Sequence, residues 1–230
     1  MKLRLQITKD ASIRFISHLE YLRTLERAVR RSKIPAAYSE GFNPHLKISL
    51  ASALGVGVVS YAEFLELELA EPMEAQLAVK QLRAVMPVGI RIVAADLAPT
   101  NAKALMAEAG LADYVVKLPC ANDPAAAIAA FNAAPELMFV KSAPKTKSGV
   151  KEIDVKQFIK TLTAKYQDGE LELSFSCRIT PEGSMKAADL LQTLNQYYNL
   201  ELPVAKADIT RTGLYRVDRK MQKCPLLSAE

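Results

Sequence analysis

The chain has two histidines, His18 and His45, and both fall within its first fifty residues. Imidazole titrates near neutrality, so a general acid or base in this sequence would most naturally be one of them. Each also fits a structural role, His18 beside a helix cap and His45 as a hydrogen-bonding anchor in a loop. No HxxxH or HxxE spacing sets them on one helix face, even with Glu20 and Glu40 near, so no metal is expected. There is no GxSxG elbow, no Rossmann fingerprint and no GxxxxGK[ST] loop.

The second group is cationic. Arg23, Arg27, Arg30 and Arg31 stand at i, i+4, i+7 and i+8, along one face of a helix. Guanidinium forks match phosphate oxygens. The competing reading is a solvated helix face in which Glu26 pairs with Arg30. From Arg14 to Lys47, seven cationic residues face Glu20, Glu26 and Glu40, a local excess within a chain of net charge +5 and pI about 9.0. This favours an anionic partner. Lys145, Lys147 and Lys151 flank Gly149, a lysine loop hinged to close over a phosphate backbone or simply a surface loop. Tyr61 and Phe64 could set aromatic rings on an open sheet face, where bases stack, although Phe64 also suits a core.

These residues need elements to position them. Leu3, Leu5 and Ile7 alternate with Lys2, Arg4 and Gln6, which predicts a half-buried strand. Ser17 and Glu20 have capping-box spacing and open a helix that runs to about residue 32, with Pro35 beyond it. Residues 38–45 crowd Gly, Asn and Pro into a turn-rich loop. A short strand over 47–50, an alternating strand over 63–69, a helix over 73–86 and a strand over 90–94 complete a β-α-β-β-α-β order. That is the ferredoxin-like pattern. The second half predicts strands over 114–118, 137–141, 171–179 and 207–217. Its helices fall at 101–109, 124–134, 155–164 and 185–198. We therefore expect an α+β chain of two ferredoxin-like lobes in tandem, residues 1–97 and 98–220, the second with a basic-loop and helical insertion. Residues 221–230 form a tail without pattern.

Composition narrows the setting. Half of the 230 residues are hydrophobic, yet charge interrupts each apolar run, so no bilayer-spanning segment is expected. The first residues lack the apolar core of a signal peptide, which points to the cytoplasm. Cys120, Cys177 and Cys224 are odd in number and scattered, which fits neither a disulfide framework nor an iron–sulfur site.

Three segments carry a family resemblance. They are Arg14-Phe15-Ile16-Ser17-His18-Leu19-Glu20, Arg27-Ala28-Val29-Arg30-Arg31, and Tyr38-Ser39-Glu40-Gly41-Phe42-Asn43-Pro44-His45-Leu46-Lys47-Ile48-Ser49. Together with Leu54-Gly55-Val56-Gly57 and Glu63-Phe64-Leu65, they resemble the radical-SAM-linked protein family, a bacterial domain of unknown function. The segment Gly149-Val150-Lys151-Glu152-Ile153-Asp154-Val155 is similar to a second family stretch. Leu46 departs from the family, whose loop more often has Pro after the His.

The resemblance implies a partner. Members are encoded beside a radical SAM enzyme or fused to its C-terminus. This chain has no CxxxCxxC, so it would be the free-standing accessory protein, with no cofactor of its own. The tandem architecture also looks like that of the endonucleases that mature CRISPR repeats, a likeness of fold only. The expected function is to bind RNA or another anion and present it to the radical SAM enzyme. The residues assigned to substrate or anion binding are Arg14, His18, Arg23, Arg27, Arg30, Arg31, Ser39, Asn43, His45, Lys47, Lys147 and Lys151. One alternative is a metal-independent RNA-processing or RNA-modifying enzyme that uses His18 or His45. Another is a protein–protein adaptor without RNA binding.

Overall fold

A computed structural model describes residues 1–142, 149–181 and 183–227. It is a mixed α+β structure with largely antiparallel sheet. The described chain groups into two compact units, Met1–Gly110 with the residues from Arg211 onward, and Leu111–Thr210. Among the described residues, no helix is long and apolar enough to cross a membrane.

The first unit begins with β1 (Lys2–Lys9), α1 (His18–Ser32), β2 (Ile48–Leu50), β3 (Val58–Glu68), α2 (Ala75–Arg83) and β4 (Ile92–Ala98), followed by the short α3 (Leu105–Glu108). β1 is central. It pairs antiparallel with β3, setting Leu3 opposite Leu67 and Leu5 opposite Leu65, and with β4, setting Leu5 opposite Ala95. β2 runs antiparallel along the far side of β3. The alternation of β1 turns Leu3, Leu5 and Ile7 into a core with Tyr21, Leu25 and Val29 of α1 and Ala78 and Leu82 of α2. Each large aliphatic side chain so buried contributes about 1.5–3 kcal/mol.

α1 starts where Ser17 accepts a hydrogen bond from the Glu20 backbone N–H at 3.2 Å. Only that half of the capping box forms, because the Glu20 carboxylate turns to Arg23. The helix ends at Lys33, whose left-handed φ of 58° reverses the chain ahead of Pro35.

In the second unit, β5 (Leu111–Pro119) pairs with β9 (Glu170–Thr180), and β9 also pairs with β8 (Leu162–Gln167) and the short β10 (Gly183–Ser184). β6 (Met138–Ser142) and β7 (Val150–Asp154) form a separate two-stranded ladder. The helices are α4 (Ala125–Ala133), the single-turn α5 (Val155–Phe158) and α6 (Ala187–Tyr198). The helix expected over 155–164 is therefore corrected to one turn followed by a strand. Asp168 and Gly169 are the reason. With φ of 52° and 79°, they form a two-residue hairpin loop of the kind Asp-Gly favours, and β8 folds back on β9.

β11 (Asp208–Val217) enters the first unit at Arg211 and lies beside β3. The tail also needs correction. β12 (Lys223–Cys224) pairs with β11, and Leu226 and Leu227 are buried.

Candidate nucleic-acid interface

α1 has two chemically distinct faces. Tyr21, Leu25, Ala28 and Val29 are buried, while Leu19, Arg23, Arg27 and Arg30 are exposed. The Arg23 and Arg27 side chains keep 61% and 62% of their surface open to solvent, with the Glu20 carboxylate 2.6 and 3.9 Å away. The Glu26–Arg30 pair does not form, and among the described residues Arg30 makes no ion pair. Arg31 donates to the Val85 carbonyl at 3.0 Å, which ties its guanidinium to the chain beyond α2.

The loop leading into α1 is held from below. Lys9 continues the inward face of β1, and its ammonium donates to the carbonyls of Arg14 and Ile16 at 2.9 and 3.0 Å. Burial lowers the Lys9 pKa, an effect that the Glu63 charge partly offsets. The Gly57 N–H donates to the same Arg14 carbonyl at 2.8 Å. Arg14 lies over the ring of Phe15 at 5.2 Å, and Phe15 faces solvent. His18 occupies the first position of α1. Its Nδ1 is buried without a hydrogen-bond partner among the described residues.

The turn-rich loop is a narrow finger. Tyr38 and Leu46 bridge at its base, the Ser39 N–H donates to the His45 carbonyl at 2.8 Å, and the His45 N–H donates to Ser39 Oγ at 3.0 Å. Gly41 takes φ 113°, a conformation that strains any side chain. Beyond it Phe42, Asn43, Pro44 and His45 are exposed. Backbone groups and Ser39 fix this loop, not the His45 ring. Lys47 pairs with Glu68 at 3.2 Å.

Residues 2–202 match the family described as uncharacterized proteins conserved in bacteria, DUF2344. The chain belongs to this family. The stretch matched in this DUF2344 protein runs from β1 to past α6 and stops before β11.

Among solved structures, the DUF2344 chain is similar to one in a Cbf5–Nop10–Gar1 complex. The identity is 11% and the TM-score 0.47, covering 94% of this chain and 48% of that one. It is also similar to a chain in an archaeal box H/ACA sRNP Nop10–Cbf5 complex, at 10% identity and TM-score 0.44, covering 91% and 46%. A third likeness is to an unknown protein from Galdieria sulphuraria, at 11% identity and TM-score 0.25, covering 94% and 98%. The DUF2344 chain spans about half the length of the first two. A search of the curated proteins found no match.

The predicted residues of this DUF2344 protein thus fall into separate groups. Arg14 and His18 adjoin the start of α1, Arg23, Arg27 and Arg30 line its outer face, and Ser39, Asn43 and His45 sit on the finger. Among the described residues, no hydrogen bond, ion pair or ring contact joins His18 to His45. Lys151 is exposed on β7 in the second unit. Lys145 and Lys147 lie outside the described residues.

Sequence reasoning missed Lys9, Glu63 and Arg211, which are charged and buried. A signal existed, since Lys9 shares the parity of Leu3, Leu5 and Ile7, and Glu63 that of Leu65 and Leu67. Among the described residues, no three His, Cys, Asp or Glu side chains converge as metal ligands would.

Proposed function

We propose that this DUF2344 protein is an accessory RNA-binding protein whose ferredoxin-like first unit holds substrate for a separately encoded radical SAM enzyme. The observation that carries the RNA part is the outer face of α1. Arg23, Arg27 and Arg30 project from a helix whose other face is anchored in the core, so their spacing is set before any ligand arrives. Phe15, beside Arg14, and Phe42, at the tip of the finger, stand exposed and offer rings on which bases stack. The radical SAM partner rests on the resemblance of residues 14–20 and 38–49.

The test is a fluorescence-anisotropy titration with labelled single-stranded RNA over a range of salt. Binding should weaken steeply with salt, and the triple variant R23A/R27A/R30A should reduce the slope of log K against log salt by about 2. Absence of RNA binding by the wild type at low salt overturns the reading. Co-purification with the radical enzyme without RNA affinity would make the chain an adaptor. RNA cleavage in EDTA that is lost in His45→Ala would make it an enzyme.

A further inference from the structure

The first unit carries a second feature that the RNA reading does not use, a cleft of about 850 Å³. α2, β4, the outward face of β1 and β3, β11 and the segment 225–227 enclose it. Its size falls within the range of small-molecule sites, roughly 300–1,000 Å³. Phe64, Val79, Ile92, Leu214 and Leu226 give it an apolar lining. Leu226 and Leu227, buried by the turn after β12, complete one wall. Gly213 leaves room for the Tyr215 ring at the edge, because a Cβ there would lie 2.3 Å from the tyrosine hydroxyl.

The charge on this lining has one sign. Lys80 and Arg83 stand three positions apart on α2, and among the described residues no Asp or Glu lines the cleft. Arg83 spends one donor on the Ile92 carbonyl at 3.2 Å, and Lys80 makes no ion pair among the described residues. Two cations at the rim of an apolar hollow, with no counter-charge among the described lining residues, suit a ligand that brings that charge.

We infer that this cleft binds a small organic anion, with an apolar or aromatic body against Phe64 and Val79 and an anionic head at Lys80 and Arg83. The site is distinct from the arginine face of α1 and does not depend on the RNA reading.

The full chain is titrated with 8-anilinonaphthalene-1-sulfonate and, separately, with N-phenyl-1-naphthylamine, which has the same rings and no sulfonate. The sulfonate should bind saturably. Lys80→Gln with Arg83→Gln should weaken it by about tenfold while the naphthylamine changes by less than about twofold. Val93→Trp, at the mouth on β4, should weaken both probes, and Ala94→Phe serves if that variant fails to fold by circular dichroism. R23A/R27A/R30A should leave both probes unchanged, so failure of the cleft and failure of the RNA face are read separately. Three outcomes overturn the inference: no saturable sulfonate binding, a double variant that binds as the wild type does or loses both probes equally, or a filled cleft with no effect.

Discussion

Arg211 donates a hydrogen bond to the Glu63 carboxylate at 3.0 Å, across 148 positions of chain, with the two residues only 2% and 1% exposed. Ser60 Oγ donates to the same carboxylate at 2.6 Å, and the other arm of Arg211 donates to the Ala53 carbonyl at 3.0 Å. Charges are costly to bury, and this pair is held by hydrogen bonds on both sides. It ties the end of the chain to the middle of β3.

Breaking that pair should be severe. Arg211→Met leaves the Glu63 carboxylate buried without its counter-charge and should cost about 3–5 kcal/mol. Adding Glu63→Gln should recover part of the loss. Urea unfolding of the two variants checks this, and a loss below about 1 kcal/mol in Arg211→Met would deny the pair its structural role.

Tyr21 predicts a pH dependence. Its hydroxyl donates to the Thr8 carbonyl at 2.8 Å, and burial, with a smaller contribution from the Glu63 charge, raises its pKa far above the ordinary 10.0. The folded phenol stays neutral where the unfolded one ionises. The stability it contributes is therefore intact below pH 10 and lost as pH rises above that value, by up to about 1.4 kcal/mol per pH unit. Tyr21→Phe should flatten the fall, read from urea midpoints between pH 9 and pH 11.

Lys9 acts in the opposite sense. Burial lowers its pKa from 10.5, so the unfolded chain binds more protons between the lowered value and 10.5, and stability rises with pH across that window. Lys9→Met should remove the rise. It should also leave the Arg14 and Ile16 carbonyls without this donor, at a cost of about 1–3 kcal/mol, and speed amide exchange in residues 11–17.

Phe15 and Phe42 should separate binding from stability. Both face solvent, so their serine variants should change unfolding free energy by no more than about 0.5 kcal/mol. If they stack on bases, each replacement should weaken single-stranded RNA binding by about 1–3 kcal/mol. Unchanged affinity in both variants would confine the interface to the arginines.

Much of the first unit was legible because its signals are local. The alternation of Leu3, Leu5 and Ile7, the Ser17 cap and the arginine spacing each follow from the repeat of one element. The second unit was less legible. Residues 155–167 hold a helical turn and a strand side by side, and only the Asp168–Gly169 hairpin shows where one period gives way to the other.

The sequence by itself determined which face of α1 is charged and which strands carry the first core, since backbone periodicity alone assigns side chains to faces. Only the tertiary structure decided that Arg211 meets Glu63, that Lys9 is sealed beneath the loop before α1, and that the tail closes a cleft edged by Lys80 and Arg83. Those relationships join residues far apart in the chain, and no repeat within a single helix or strand encodes which distant side chain will supply a partner.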